Sequence, residues 1–103
     1  VGTNERDMAA AVNHVVAMQG GISVVENEAV KAQVQLSIAG IMSDDPLESV
    51  NNALEHAKEV AFDLGVSRAI DPFMTLSFMS LPVIPKLRLT PRGVIDVETQ
   101  QYV

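Results

Sequence analysis

GGISVVENEAVKAQVQLSI, residues 20–38, decides how the chain folds. Ile22 to Val25 is a short run rich in β-branched residues, the composition of a strand. Glu26-Asn27-Glu28 has the size and polarity of a tight turn. From Val30 the residues alternate strictly, with Val30, Ala32, Val34, Leu36 and Ile38 on one side and Lys31, Gln33, Gln35 and Ser37 on the other. Successive strand side chains point to opposite faces, so this is a half-buried strand and the hairpin partner of the first.

Both flanks of the hairpin read as helices. Thr3 and Asn4 are good N-caps, and Asn4 with Asp7 has capping-box spacing, although Asp is a weaker third partner than Glu or Gln. Met8, Ala11, Val12, Val15 and Met18 recur at helical spacing, which predicts an amphipathic helix over 5–19. Gly20-Gly21 ends it, one glycine serving as the left-handed residue beyond the C-cap. After a loop at 39–45, AGIMSDD, Asp45 supplies an N-cap and Pro46 the first helical position. Leu47, Val50, Leu54, Ala57, Ala61 and Leu64 then form an apolar stripe on a helix of about 19 residues. Its other face, with Glu48, Asn52, Glu55, His56, Glu59 and Asp63, is an acidic solvent side, and Gly65 closes it.

The stretch DPFMTLSFMSLPVIPKLRLT, residues 71–90, opens a region of three strand-like runs. Phe73 to Leu81 is apolar on both faces, which predicts a central strand covered on two sides. Pro82 and Pro85 stop its ladder, and Lys86 to Thr90 resumes with one wet face. Thr90-Pro91-Arg92-Gly93 has β-turn chemistry. The order helix, strand, strand, helix, strands predicts an α+β fold, a two-layer α/β sandwich with a mixed or antiparallel sheet against two amphipathic helices. A helix cap directly after Val1-Gly2, with no initiator methionine, predicts that the chain begins just after a strand outside these residues. The domain is then incomplete, and an open sheet edge favours association with itself.

Composition narrows the function classes. A chain of 103 residues is one small domain or part of a larger one. With 48% apolar and 19% charged residues it reads as globular. Thirteen acidic residues against 7 basic ones give a net charge of −6, so neither nucleic acid nor an anionic membrane is an expected partner. The absence of cysteine excludes a disulfide scaffold and a cysteine metal site, and the default compartment is the cytoplasm. No segment reaches the roughly 18 apolar residues of a membrane span.

The residues offer little self-contained chemistry. His14 lies at the edge of the first helix's stripe, two turns from Asp7; it reads as a boundary histidine or as a base oriented by that carboxylate. His56 sits on the outer face of the second helix, and the two histidines lack metal-ligand spacing. Ser43-Asp44-Asp45 reads as helix capping, or as a polar patch that binds a substrate atom. Ser23, Ser77 and Ser80 have no glycine elbow, and the glycines form no phosphate-binding fingerprint. Met42, Met74, Met79, Phe73 and Phe78 read as core or as the lining of an apolar pocket.

Three long segments carry a resemblance: VGTNERDMAAAVN at 1–13, GGISVVENEAVKAQVQLSIAGIMSDDPLESV at 20–50, and DPFMTLSFMSLPVIPKLRLTPRGVIDV at 71–97. Together they resemble the C-terminal domain of the adenine deaminase family, within the amidohydrolase superfamily. The shared patterns are G-T-N-x-x-D-M, G-G-I-x-V-V, I-A-G-[LI]-M-S-D and D-P-F-M-T-L-S-F-x-x-L-P-V-I-P-x-L-R. Ser37 departs from a usual proline, and Glu26-Asn27-Glu28 from a usual Asp-Gly turn.

The resemblance implies that residues 1–103 are the last part of that domain. It also implies that the catalytic barrel, with its HxH metal ligands, lies outside this chain. The implied reaction is metal-dependent hydrolysis of adenine to hypoxanthine and ammonia, in purine salvage. The full-length enzyme is expected to use manganese or iron, with no metal ligand and no catalytic residue supplied here. Expected partners are the barrel of the same enzyme, adenine through the full enzyme, and a further copy of the chain. The fragment itself is expected to be structural and inactive alone. Ser43 and Asp44 in the 39–45 loop, and Asp71 and Phe73 in the later turn, are the candidates for a wall at the adenine site. A second reading is a stand-alone binding or oligomerisation module of the same fold.

Overall fold

Asn27 and Glu28, both at positive φ (52° and 61°), close the hairpin as a two-residue turn. This geometry matches the right-handed twist of the strands that it joins. Strand β1 (Gly21–Glu26) pairs antiparallel with β2 (Ala29–Gln35), and the register slips between Val24 and Val25. Val24 faces Ala32 and Val25 faces Val30, so Lys31 is the extra residue of a bulge. The alternation therefore holds for Ala32 and Val34, which are buried, but not for Val30, which the bulge leaves 41% exposed. The strand stops at Gln35, short of the expected Ile38, and Ile38 instead bridges Met42 across a small turn of its own.

A computed structural model describes residues 1–103, which divide into two units, Val1–Arg68 and Ala69–Val103. In the first, helices α1 (Glu5–Ala17) and α2 (Leu47–Asp63) both pack on the hairpin. The core is Ala11, Val24, Val25, Ala32, Val34, Ala57 and Ala61. Small residues on the helices let the backbones approach the sheet closely. The expected stripes are narrower than their patterns, because Met8, Val12 and Leu47 are exposed. No helix is long and apolar enough to cross a membrane.

Both long helices end in the same hydrogen-bond pattern. At α2 the left-handed residue is Gly65, whose N–H donates to Phe62 O while Val66 N–H donates to Ala61 O. At α1 the expected glycine is displaced by one position: Gln19, at φ 62°, is the left-handed residue, and Gln19 and Gly20 donate to Val16 O and Val15 O. Gly20 and Gly21 are needed for a different reason. A Cβ on Gly20 would collide with Gly40, and one on Gly21 with the carbonyl of Val34. The α2 start also differs from expectation. Pro46 occupies the N-cap, and the Asp45 carboxylate turns to the Ser43 hydroxyl instead.

The second unit corrects the strand expected at 73–81. Pro72–Ser77 is a short helix, α3, followed by a single 3₁₀ turn at Phe78–Ser80. Asp71 caps it by accepting from the N–H groups of Phe73 and Met74, and Pro72 fills the first turn. An apolar run interrupted only by Thr75, Ser77 and Ser80 fits a strand or a helix equally; the capping signal at Asp71-Pro72 decides it. The chain continues as an antiparallel meander of β3 (Leu87–Thr90), β4 (Gly93–Asp96) and β5 (Gln101–Tyr102). Thr90 pairs with Gly93 across the expected Pro91-Arg92 turn. The fold is α+β as expected, but its strands form two separate antiparallel sheets, of two and three strands.

Candidate functional site

Asp7 is the most committed polar group in the chain. It is 2% exposed, and its backbone N–H donates to the Asn4 side-chain oxygen at 2.9 Å, which caps α1. Its carboxylate accepts three further hydrogen bonds: from Asn4 Nδ2 at 2.9 Å, from Asn27 N–H at 3.2 Å and from Glu28 N–H at 2.7 Å. One side chain thus joins the first turn of α1 to the hairpin turn. Glutamate at positive φ strains its backbone, and two charge-assisted bonds at that turn offset the cost. Asn4, Arg6, Asp7, Asn27 and Glu28 line a surface depression of about 280 Å³ there. Its one buried carboxylate is engaged by three donors, so the arrangement acts as a clamp between helix and turn. The N-x-x-D spacing announced the cap. The second role, toward a turn 20 residues away, had no signal in the sequence.

The other candidates are held by local bonds. Ser43 Oγ donates to Asp45 Oδ2 at 3.2 Å and accepts from Asp45 N–H at 3.1 Å. Asp44 Oδ1 accepts from the Ser37 hydroxyl at 3.0 Å. Ser37 therefore ties the strand exit to the loop. Asp71 is the α3 cap, and Phe73 is half-buried one position past Pro72. Ser43 and Asp44 belong to the first unit, Asp71 and Phe73 to the second. His14 is half-buried with its Nδ1 unpartnered, while the Asp7 carboxylate is used elsewhere; His56 is exposed as expected. No three of the His, Asp and Glu side chains gather closely enough to hold a metal ion.

What the second unit does present is apolar surface. Met74, Leu76, Phe78, Met79, Val83, Leu87 and Leu89 are each 46% to 74% exposed. On β3 the pattern is inverted: Leu87 and Leu89 face out while Arg88 turns inward, its guanidinium donating to the carbonyls of Leu87 and Pro85. Leu87 and Leu89 therefore add exposed aliphatic surface on β3.

Comparison with known proteins agrees with the motifs. The family model of the adenine deaminase C-terminal domain matches residues 1–101. An adenine deaminase of Methylobacterium sp. (strain 4-46) is 48% identical over 98 residues, 95% of this chain and 17% of the relative. Adenine deaminase 2 of Carboxydothermus hydrogenoformans is 46% identical over 98 residues, again 95% of this chain and 17% of the relative. An adenine deaminase of Petrotoga mobilis is 41% identical over all 103 residues, 18% of its own length. The chain thus spans less than a fifth of these curated relatives.

Proposed function

The chain belongs to the adenine deaminase C-terminal domain family, and from that premise we propose that the whole protein hydrolyses adenine to hypoxanthine and ammonia, with these residues as a structural part. The observation that carries the structural role is the outward apolar face of residues 74–89, with Arg88 folded beneath it. Such a face is stable when covered, and the remainder of the same protein, an amidohydrolase barrel, is the natural cover. Hydrolysis at C6 of adenine needs an activated water and a route for protons to the leaving ammonia. Asp7 is spent on the hairpin turn, and the His, Asp and Glu side chains form no metal-holding group. The manganese or iron that such a reaction would use is proposed to sit in the barrel, outside these residues. Ser43, Asp44, Asp71 and Phe73 are proposed as wall positions near the adenine and not as proton-transfer groups. The setting is purine salvage in the cytoplasm.

The test is the disappearance of adenine and appearance of hypoxanthine, followed with the full-length protein and with the 103-residue chain, each supplied with Mn²⁺ or Fe²⁺. Turnover by the full-length protein and none by the chain is expected. Turnover by the chain alone would refute its structural role, and an inactive full-length protein would refute the reaction.

A further inference from the structure

The outer edge of β1 carries a partial ladder. The Val1 nitrogen donates to the carbonyl of Ser23, and Val25 N–H donates to Val1 O at 2.9 Å. One residue bonded to the positions on either side of Val24 is the pattern of a parallel pair, not an antiparallel one. Because strand groups alternate, the N–H of Ser23 and the carbonyl of Gly21 point to this same edge, away from β2. Neither meets another backbone group outside the β1–β2 pairing. Yet Ser23 is 3% exposed, and its hydroxyl is also buried without a partner. Val24 and Val25, both at 0% exposure, show that β1 is the most deeply buried strand of the chain while it stands at a sheet edge. Buried edges with unpaired backbone groups are unfavourable and are normally covered or paired.

We propose that the residues immediately upstream of Val1 in the whole protein form a strand parallel to β1, in the register that Val1 already sets. The residue two before Val1 then pairs with Ile22, its N–H donating to Gly21 O and its carbonyl accepting from Ser23 N–H. The hairpin becomes two of at least three strands, and β1 becomes internal. Strand, α1 and β1 form a β–α–β unit, whose connection is right-handed in nearly all proteins. The clamp at Asp7 gains a purpose in this unit, since it fixes α1 to the hairpin at the end where the crossover begins. The incoming strand is also the covalent link to the rest of the protein. The inference takes from the family assignment only that the chain continues upstream of Val1.

Two measurements on the full-length protein test it. Cysteines are introduced as Ile22→Cys together with the residue two before Val1. Parallel neighbours lie within disulfide reach, so oxidation yields the cross-linked peptide. Moving the second cysteine to the residue one before Val1 puts its side chain on the opposite face and abolishes the cross-link. Failure of the in-register pair, or equal cross-linking of both, overturns the proposal. The unsubstituted protein supplies the second reading, by residue-resolved hydrogen exchange. The Ser23 amide is expected to exchange at least about 100-fold more slowly than a free edge amide; exchange at the free-edge rate overturns the proposal even if the cysteine variants fail to fold. Adenine hydrolysis on the same preparations judges the functional reading separately. A cross-linked but inactive protein keeps the strand and loses the reaction.

Discussion

The two units of the chain obey opposite rules. In residues 1–68 the apolar side chains of the hairpin meet alanines on two helices, and a buried carboxylate ties helix to turn. In residues 69–103 only Pro72 and Ile95 are buried, and the larger aliphatic and sulfur-containing side chains point outward. Ordering a residue costs roughly 1–2 kcal/mol in backbone entropy alone, and a unit with so few fully buried side chains offsets less of it than the first. The first unit holds its own buried core, apart from the open edge of β1. The second leaves its larger apolar side chains exposed, from Met74 to Leu89.

The largest effect is expected at Asp7. Asp7→Ala leaves the Asn4 side chain and two turn amides without an acceptor, and the turn then holds Asn27 and Glu28 at positive φ unaided. A loss of about 3 kcal/mol is expected for the first unit, read by denaturant unfolding. A change under about 1 kcal/mol would mean that water replaces the carboxylate, and the unit would be held by its apolar core alone.

Leu89 probes the contrast directly. It is 63% exposed on β3, beside the inward Arg88. In the isolated chain Leu89→Asp is expected to change stability by less than about 0.5 kcal/mol, as for an ordinary surface position. In the full-length protein, where the proposed cover buries the leucine, the same change is expected to cost about 2–3 kcal/mol. Equal small effects in both would remove the case for a covered face.

These contrasts explain what the sequence made legible. The hairpin was readable because one face of β2 is buried, so period-two alternation survives in Ala32 and Val34. Helix α2 was readable because its stripe narrows onto Ala57 and Ala61 against the sheet. Residues 73–81 read equally as strand or helix, because Thr75, Ser77 and Ser80 interrupt the apolar run without fixing a period. The capping signal of Asp71-Pro72 decides the conformation. The bulge at Lys31 and the second role of Asp7 depend on pairing across the hairpin and on a contact between distant segments, which no local pattern encodes.

Gln19 and Gly65 compare two helix ends within the first unit. Both occupy the left-handed position of the same terminal motif, but only Gln19 carries a Cβ there. Gln19→Gly relieves that strain at the price of a more flexible unfolded chain, and a net gain of about 0.5–1 kcal/mol is expected. Thermal unfolding of the variant measures it. A loss would show that the Gln19 side chain contributes more than its backbone conformation costs.

The smallest effect lies at the end of the first unit. Arg68 forks onto the Glu59 carboxylate at 2.8 and 3.2 Å and lies 4.8 Å from the centre of the Phe62 ring. Hydrogen bonding to Arg68 lowers the Glu59 pKa below the ordinary carboxylate value, and the same pair raises that of Arg68. A carboxyl whose folded pKa is depressed contributes stability above its unfolded value, near 4.3, and loses it as the pH falls through the folded value. Both side chains are exposed, so solvent screening keeps the contribution small. Glu59→Gln is therefore expected to lower the melting temperature slightly at pH 7 and to match the wild type once the pH is low enough to protonate Glu59. Molar salt should shrink the pH 7 difference as well. A difference that persists in acid would assign the stabilisation to Arg68 stacked on Phe62, and the last residue of the first unit would be held by packing, as its core is.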